Sequence, residues 1–184
     1  MPETQPTPVR RTGGFNPISW IRDLALSVLI AVVLIVFIYQ PVKVEGTSMM
    51  PGLRDQERIF INKFTYRFGI ANIERGDTVV FWFPMDRSKS YIKRVIGLPG
   101  DLVEIDRGVV LVNGKPLAED YVPEKFRDYL SLPLQHMGPD DYFVLGDHRN
   151  SSNDSRAWGT VPHQNIYGKG VFVYWPLDQM GRVR

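Results

Sequence analysis

The sequence predicts a mainly β protein: a single N-terminal transmembrane helix, then an antiparallel β-sheet domain with a partly closed, barrel-like core. Three observations carry that prediction. One long apolar stretch lies between Ile18 and Tyr39. Beyond it come short β-branched or aromatic runs separated by Gly-Asp, Pro-Gly and Asn-Gly pairs, the punctuation of strands and hairpins. No segment past residue 45 keeps a helical period for more than about two turns.

Residues 1–17 hold four prolines and two glycines among polar groups and read as a disordered cytoplasmic tail. The apolar run Leu24–Tyr39 would span about 24 Å as a helix, short of the roughly 30 Å of a hydrocarbon core. Extended back to Ile18 it reaches about 33 Å. Arg22 then snorkels at the interface, Trp20 and Tyr39 act as interfacial anchors, and Pro41 ends the helix. A helix buried in a soluble protein is disfavoured because the run is apolar on all faces. A cleavable signal peptide is disfavoured because Gln40-Pro41-Val42-Lys43-Val44-Glu45 offers no small-x-small site. The expectation is an uncleaved signal anchor over residues 18–40. Arg10, Arg11 and Arg22 precede it and only Lys43 follows closely, so the N-terminus is expected in the cytoplasm and residues 41–184 outside it.

The domain after the anchor offers strands at Arg58–Asn62, Thr78–Phe83, Tyr91–Ile96, Leu102–Ile105, Val109–Val112, Tyr142–Leu145 and Val171–Trp175. Asn113-Gly114 closes a hairpin, and residues from about 103 to 140 are expected to form a small lobe or hairpin insertion. The 184 residues suffice for one anchor and one compact domain. The net charge of +2, with no long basic block, gives no case for nucleic acid. With no cysteine, disulfides, zinc-thiolate sites and cysteine nucleophiles are excluded. His136, His148 and His163 show no metal-ligand spacing, and neither a metal nor any other cofactor is expected.

Two residues suggest chemistry. Ser48, in Gly46-Thr47-Ser48-Met49-Met50-Pro51-Gly52-Leu53, follows the apolar stretch directly, and Lys93 lies in Tyr91-Ile92-Lys93-Arg94-Val95-Ile96. A serine needs a positioned base to act as a nucleophile. A lysine serves only when desolvation brings its pKa towards the working range. On a strand, Tyr91, Lys93 and Val95 share one face, which surrounds the amine with aromatic and aliphatic groups. Arg94, on the other face, either pairs with a carboxylate or is solvated. A Ser-His-Asp triad built on His148 or His163 is the competing arrangement, and a membrane-anchored binding module without activity is the competing class.

Four motifs in order carry a resemblance: Gly46–Leu53, then Arg75-Gly76-Asp77-Thr78-Val79-Val80-Phe81, then Tyr91 to Asp101, then Gly146-Asp147-His148-Arg149-Asn150-Ser151-Ser152-Asn153-Asp154-Ser155-Arg156. Together they resemble the bacterial type I signal peptidases, membrane-bound serine endopeptidases with a Ser/Lys dyad that remove signal peptides from exported preproteins. The resemblance implies that Ser48 attacks the scissile carbonyl while neutral Lys93 takes its proton. It implies that Ser152 hydrogen-bonds the lysine amine and that Asp154 and Arg156 brace their loop as an ion pair. Val44, Met49, Leu53, Tyr91 and Ile92 match positions that line small, apolar substrate pockets. The implied partners are exported preproteins, the lipid bilayer and the export translocon; the implied location is the plasma (inner) membrane, with a thylakoid-type membrane as the alternative.

Three positions depart from the family pattern. Gly46 stands where many members carry a serine whose hydroxyl completes the oxyanion hole. A glycine offers only its backbone there, leaving the hole to the Ser48 N–H and some other donor. Gly52 stands where threonine is common, and His148 where asparagine is usual.

Overall fold

The computed structural model describes residues 17–63 and 72–183, with the side chains of 34–37 excepted. The tail expected at 1–17 lies outside the described residues apart from Pro17, as does Arg184. The chain divides into two units after Val36.

Helix α1 (Pro17–Ile38) has 22 residues. Its apolar side chains at Leu24, Leu26, Val28, Leu29, Ile30, Val32 and Val33 are all exposed; adjacent positions point to different faces of a helix, so the exposed apolar surface runs all round. The polar residues are satisfied locally. Arg22 pairs with Asp23 at 3.0 Å, and the Ser27 hydroxyl donates to the Asp23 carbonyl at 2.8 Å. Among the described residues, no helix is long and apolar enough to cross a membrane.

The helix ends at Ile38, and Pro41, expected to terminate it, instead lies inside strand β1 (Tyr39–Lys43). Proline is admissible there because β1 is an edge strand, where a missing N–H breaks no ladder. The remaining strands are β2 (Arg58–Asn62), β3 (Thr78–Phe83), β4 (Asp86–Gly97), β5 (Leu102–Asp106), β6 (Val109–Val112), β7 (Lys115–Pro116), β8 (Leu132–His136), β9 (Asp141–Leu145), β10 (Val161–Pro162), β11 (Ile166–Trp175) and β12 (Gly181–Arg182). They form an eight-stranded sheet in the order β1-β2-β11-β3-β4-β9-β10, with β12 on β11, and a four-stranded sheet β7-β6-β5-β8. Every pairing among the described residues is antiparallel.

The first sheet follows an open path, and no pairing among the described residues closes it. The barrel-like core expected from the sequence is therefore not seen. The apolar faces are covered in another way, visible in how neighbouring residues divide between clusters. On β3, Val79 and Phe81 face one cluster and Val80 another. On β9, Tyr142 and Val144 join the first cluster while Phe143 and Leu145 join a third, shared with Val103, Ile105, Val110 and Val112 of the small sheet. Strands covered on both faces read as continuous apolar runs rather than alternating ones. The small sheet thus roofs β4 and β9.

Strand β11 begins five residues before the predicted Val171. Gly168 conceals its start in the sequence and permits it in space: a Cβ there would lie 3.0 Å from Ile61 Cδ1 on β2. Strand β8 is hidden by Pro133, again at a sheet edge.

Candidate active site

Ser48 is carried by the tight turn between β1 and β2. Met50 N–H donates to the Thr47 carbonyl at 3.0 Å and Leu53 N–H to the Met49 carbonyl at 2.8 Å. Met49 and Leu53 are buried in the cluster with Val44, Ile59 and Ile61, so the apolar residues of the motif root the turn while Ser48 faces a cleft. Gly46 holds a positive φ of 92°, a conformation open to glycine at little cost. Its N–H donates to Asp55 Oδ1 at 2.8 Å and is therefore committed to holding the turn. Ser48 N–H donates to no acceptor among the described residues.

Lys93 enters from β4, opposite Val79 of β3. It is 4 % exposed. Its Nζ lies 2.7 Å from Ser48 Oγ and 3.0 Å from the Ile92 carbonyl, and 5.5 Å from the centre of the Tyr91 ring. Burial lowers its pKa from 10.5 to about 8; the carboxylates of Asp154 and Asp147 oppose that shift and the Arg156 guanidinium adds to it. The environment inferred from strand alternation, an amine among aromatic and aliphatic groups, is the one that favours the free base.

The third element of the site is the loop 146–156. Asp154 caps the short helix α2 (Ser155–Trp158) by accepting from Arg156 N–H. It also receives the Arg156 guanidinium at 2.8 Å through both Nε and Nη2, and Gly146 N–H at 3.0 Å. Arg156 continues to Asp128 of the small-sheet segment and to the Arg149 carbonyl. Arg149 is buried against Glu119, which in turn accepts from the Tyr121 hydroxyl at 3.0 Å. Arg94 is not solvated: it makes a bidentate pair with Asp147, at 2.7 and 2.6 Å, beneath the ring of Tyr121 at 4.3 Å. A Cβ on Gly52 would come within 2.9 Å of Asp147 Oδ2, so glycine at this position leaves room for that pair.

Ser152 lies beside the dyad without bonding the amine. Its buried Oγ has no hydrogen-bond partner among the described residues. It packs on Gly146, where a Cβ would sit 2.2 Å from Ser152 Oγ and 2.5 Å from the Ser48 carbonyl oxygen. Neither histidine of the competing triad hydrogen-bonds Ser48 Oγ: His148 Nδ1 meets the Thr47 carbonyl at 3.1 Å, and His163 packs near Tyr142.

The cleft over the dyad has a volume of about 310 Å³ and is lined by Val42, Val44, Gly46, Ser48, Met49, Val80, Ser90, Tyr91, Ile92, Lys93, Asn153 and Tyr167, among others. Of the residues expected to line substrate pockets, Val44, Met49, Tyr91 and Ile92 lie in this lining. Leu53 is not in the lining; it is 1 % exposed in the cluster below. Val42, Val80, Ser90, Asn153 and Tyr167 were not among the expected lining residues. Val80 is the cross-strand partner of Ile92, a relation that only the register reveals.

A serine hydroxyl held by a buried, partly neutral lysine, on an antiparallel β scaffold, is the constellation of a serine peptidase with a lysine base. The model of the signal peptidase family, peptidase S26, matches residues 17–175. The chain is 36% identical to a signal peptidase I from Leptolyngbya laminosa over 99% of its own length and 91% of the relative's. It is also 36% identical to signal peptidase I P of Bacillus subtilis subsp. natto, over 90% of this chain and 92% of that one. A solved signal peptidase I from Enterococcus faecalis V583 aligns with 54% of this chain and 97% of its own at 31% identity, with a TM-score of 0.48. The chain belongs to the signal peptidase I family, S26, serine peptidases that remove signal peptides.

Proposed function

We propose that Ser48 and Lys93 are the catalytic pair and that α1 anchors the enzyme in the plasma membrane, with residues 41–184 on the outer face, where exported preproteins present their cleavage sites. The observation that carries this reading is the 2.7 Å contact between the buried Lys93 amine and Ser48 Oγ. In the neutral state the amine accepts the Ser48 proton as Oγ attacks the scissile carbonyl. The resulting ammonium then donates a proton to the departing amine, leaving an ester on Ser48. Water, deprotonated by the same amine, cleaves the ester and restores both residues. The Ser48 N–H stabilises the oxyanion. Val44, Met49, Tyr91 and Ile92 narrow the cleft, so small residues, alanine above all, are required one and three positions before the cut.

The anchor rests on the exposed apolar side chains all round α1, a surface suited to hydrocarbon. The partners that follow are the bilayer, preproteins and the export translocon. The test is cleavage of one exported preprotein by purified Ser48→Ala, Lys93→Ala and double variants. Each single substitution should abolish turnover, and the double should be no worse, because members of one catalytic unit are not additive. Substantial cleavage by Lys93→Ala would remove lysine from the role of base.

A further inference from the structure

From the geometry we infer that His148 is a positioning residue for the oxyanion donor, acting through the peptide that joins Thr47 to Ser48; the inference rests on Ser48 being the nucleophile. His148 grips both carbonyls that flank Ser48. Its backbone N–H donates to the Ser48 carbonyl at 3.1 Å, and its Nδ1 lies 3.1 Å from the Thr47 carbonyl. A carbonyl only accepts, so Nδ1 carries the proton in this contact.

The Thr47 carbonyl and the Ser48 N–H belong to the same peptide unit. That unit is planar and trans, so fixing the direction of its C=O fixes the direction of its N–H. A hydrogen bond to the oxygen also polarises the group and strengthens the N–H as a donor. The Thr47 oxygen is gripped a second time by Met50 N–H at 3.0 Å, which uses both of its lone pairs. The His148 ring is itself held, with the Phe126 ring edge-on at 4.4 Å.

The site needs this support. Gly46 has no side-chain donor, and its N–H is committed to Asp55, so the Ser48 N–H carries the developing charge without help from residue 46. Asparagine at 148 would place Nδ2 where Nδ1 now sits, since both atoms follow Cγ directly. Glutamine would carry its amide one methylene farther.

The experiment compares His148→Leu, His148→Asn and His148→Gln with Ser48→Ala, measuring kcat and KM on one preprotein and the affinity of a peptide aldehyde ending in alanine, which forms a tetrahedral adduct. His148→Leu should lower kcat about tenfold, less than the ~100-fold or more of losing an oxyanion donor outright. KM should stay within about twofold, and aldehyde affinity should fall in step with kcat. His148→Asn should restore most of the loss and His148→Gln should not, a contrast that is readable even if the leucine variant folds poorly. An unchanged kcat in His148→Leu, a loss confined to KM, or equal activity of the Asn and Gln variants overturns the inference. Cleavage by Ser48→Ala overturns the nucleophile itself, a separate outcome with its own readout.

Discussion

At pH 7 an amine with a pKa of about 8 is neutral in only about a tenth of the molecules, so Lys93 as the proposed base would set the pH dependence. Cleavage, as kcat/KM, should rise about tenfold per pH unit below 8 and level off above it; a plateau reached by pH 6.5 would point to a histidine base instead. The same residue costs stability. Its folded pKa lies below the ordinary 10.5, so below about pH 8 both states are protonated and the folded state bears the full penalty, about 3 kcal/mol. Between 8 and 10.5 the unfolded chain binds a proton that the folded one does not, and the penalty fades as pH rises. Lys93→Met should therefore be inactive yet more stable, by about 2 kcal/mol at pH 6–7 once the lost bond to Ser48 is deducted. Its advantage should shrink through pH 8 to 10 in urea titrations. Gly146 makes the opposite case. A methyl there would overlap Ser152 Oγ and the Ser48 carbonyl oxygen, so Gly146→Ala should lower kcat about 100-fold. Adding Ser152→Ala should not restore it, because the overlap with the Ser48 backbone persists.

At the scale of elements, the loop 146–156 is held by the small sheet's segment as well as by its own sequence neighbours. Glu119 reaches Arg149 across 30 residues and Asp128 reaches Arg156 across 28. Glu119→Ala would leave Arg149 as a buried charge with its carboxylate removed, a loss of about 3 kcal/mol. Glu119→Ala combined with Arg149→Met should recover much of it, as a double-mutant cycle on urea midpoints would register; additive losses would mean that the two residues do not act as a pair. This division marks what the sequence could disclose. Ser48, Lys93, Asp154 and Arg156 were legible because each sits in a local motif. Strands such as Thr78–Phe83 and Tyr142–Leu145 were legible because they are uninterrupted apolar runs. Glu119, Tyr121 and Asp128 lie in polar loop sequence whose partners are fixed only by the way the small sheet packs through Val103, Ile105, Phe143 and Leu145. The hydrogen bond expected from Ser152 to Lys93 is absent because the amine's contacts are to Ser48 and Ile92, a choice set by side-chain geometry that no motif encodes.

At the scale of the whole molecule, the proposed anchor and the cleft would cooperate without any contact between them being required. A cleft that takes only small side chains, as proposed, would supply little binding energy of its own: apolar walls at Val44, Met49 and Ile92 would be filled by alanine with few atoms. Under the proposed anchoring, confinement of enzyme and substrate to one membrane surface would supply the missing affinity as effective concentration, which can raise apparent binding by ~100-fold or more without a new contact. A form lacking residues 1–36 should therefore hydrolyse a short soluble peptide with kcat/KM within about twofold of the full chain, since every residue of the dyad and cleft lies beyond the deletion. On a preprotein embedded in vesicles its apparent KM should rise about 100-fold, with kcat little changed. Side-by-side kinetics of the two forms on the two substrates decide the matter. Equal losses on both substrates would show that the N-terminal segment supports the fold of the domain, and no loss on either would leave α1 without a role in bringing substrate to Ser48.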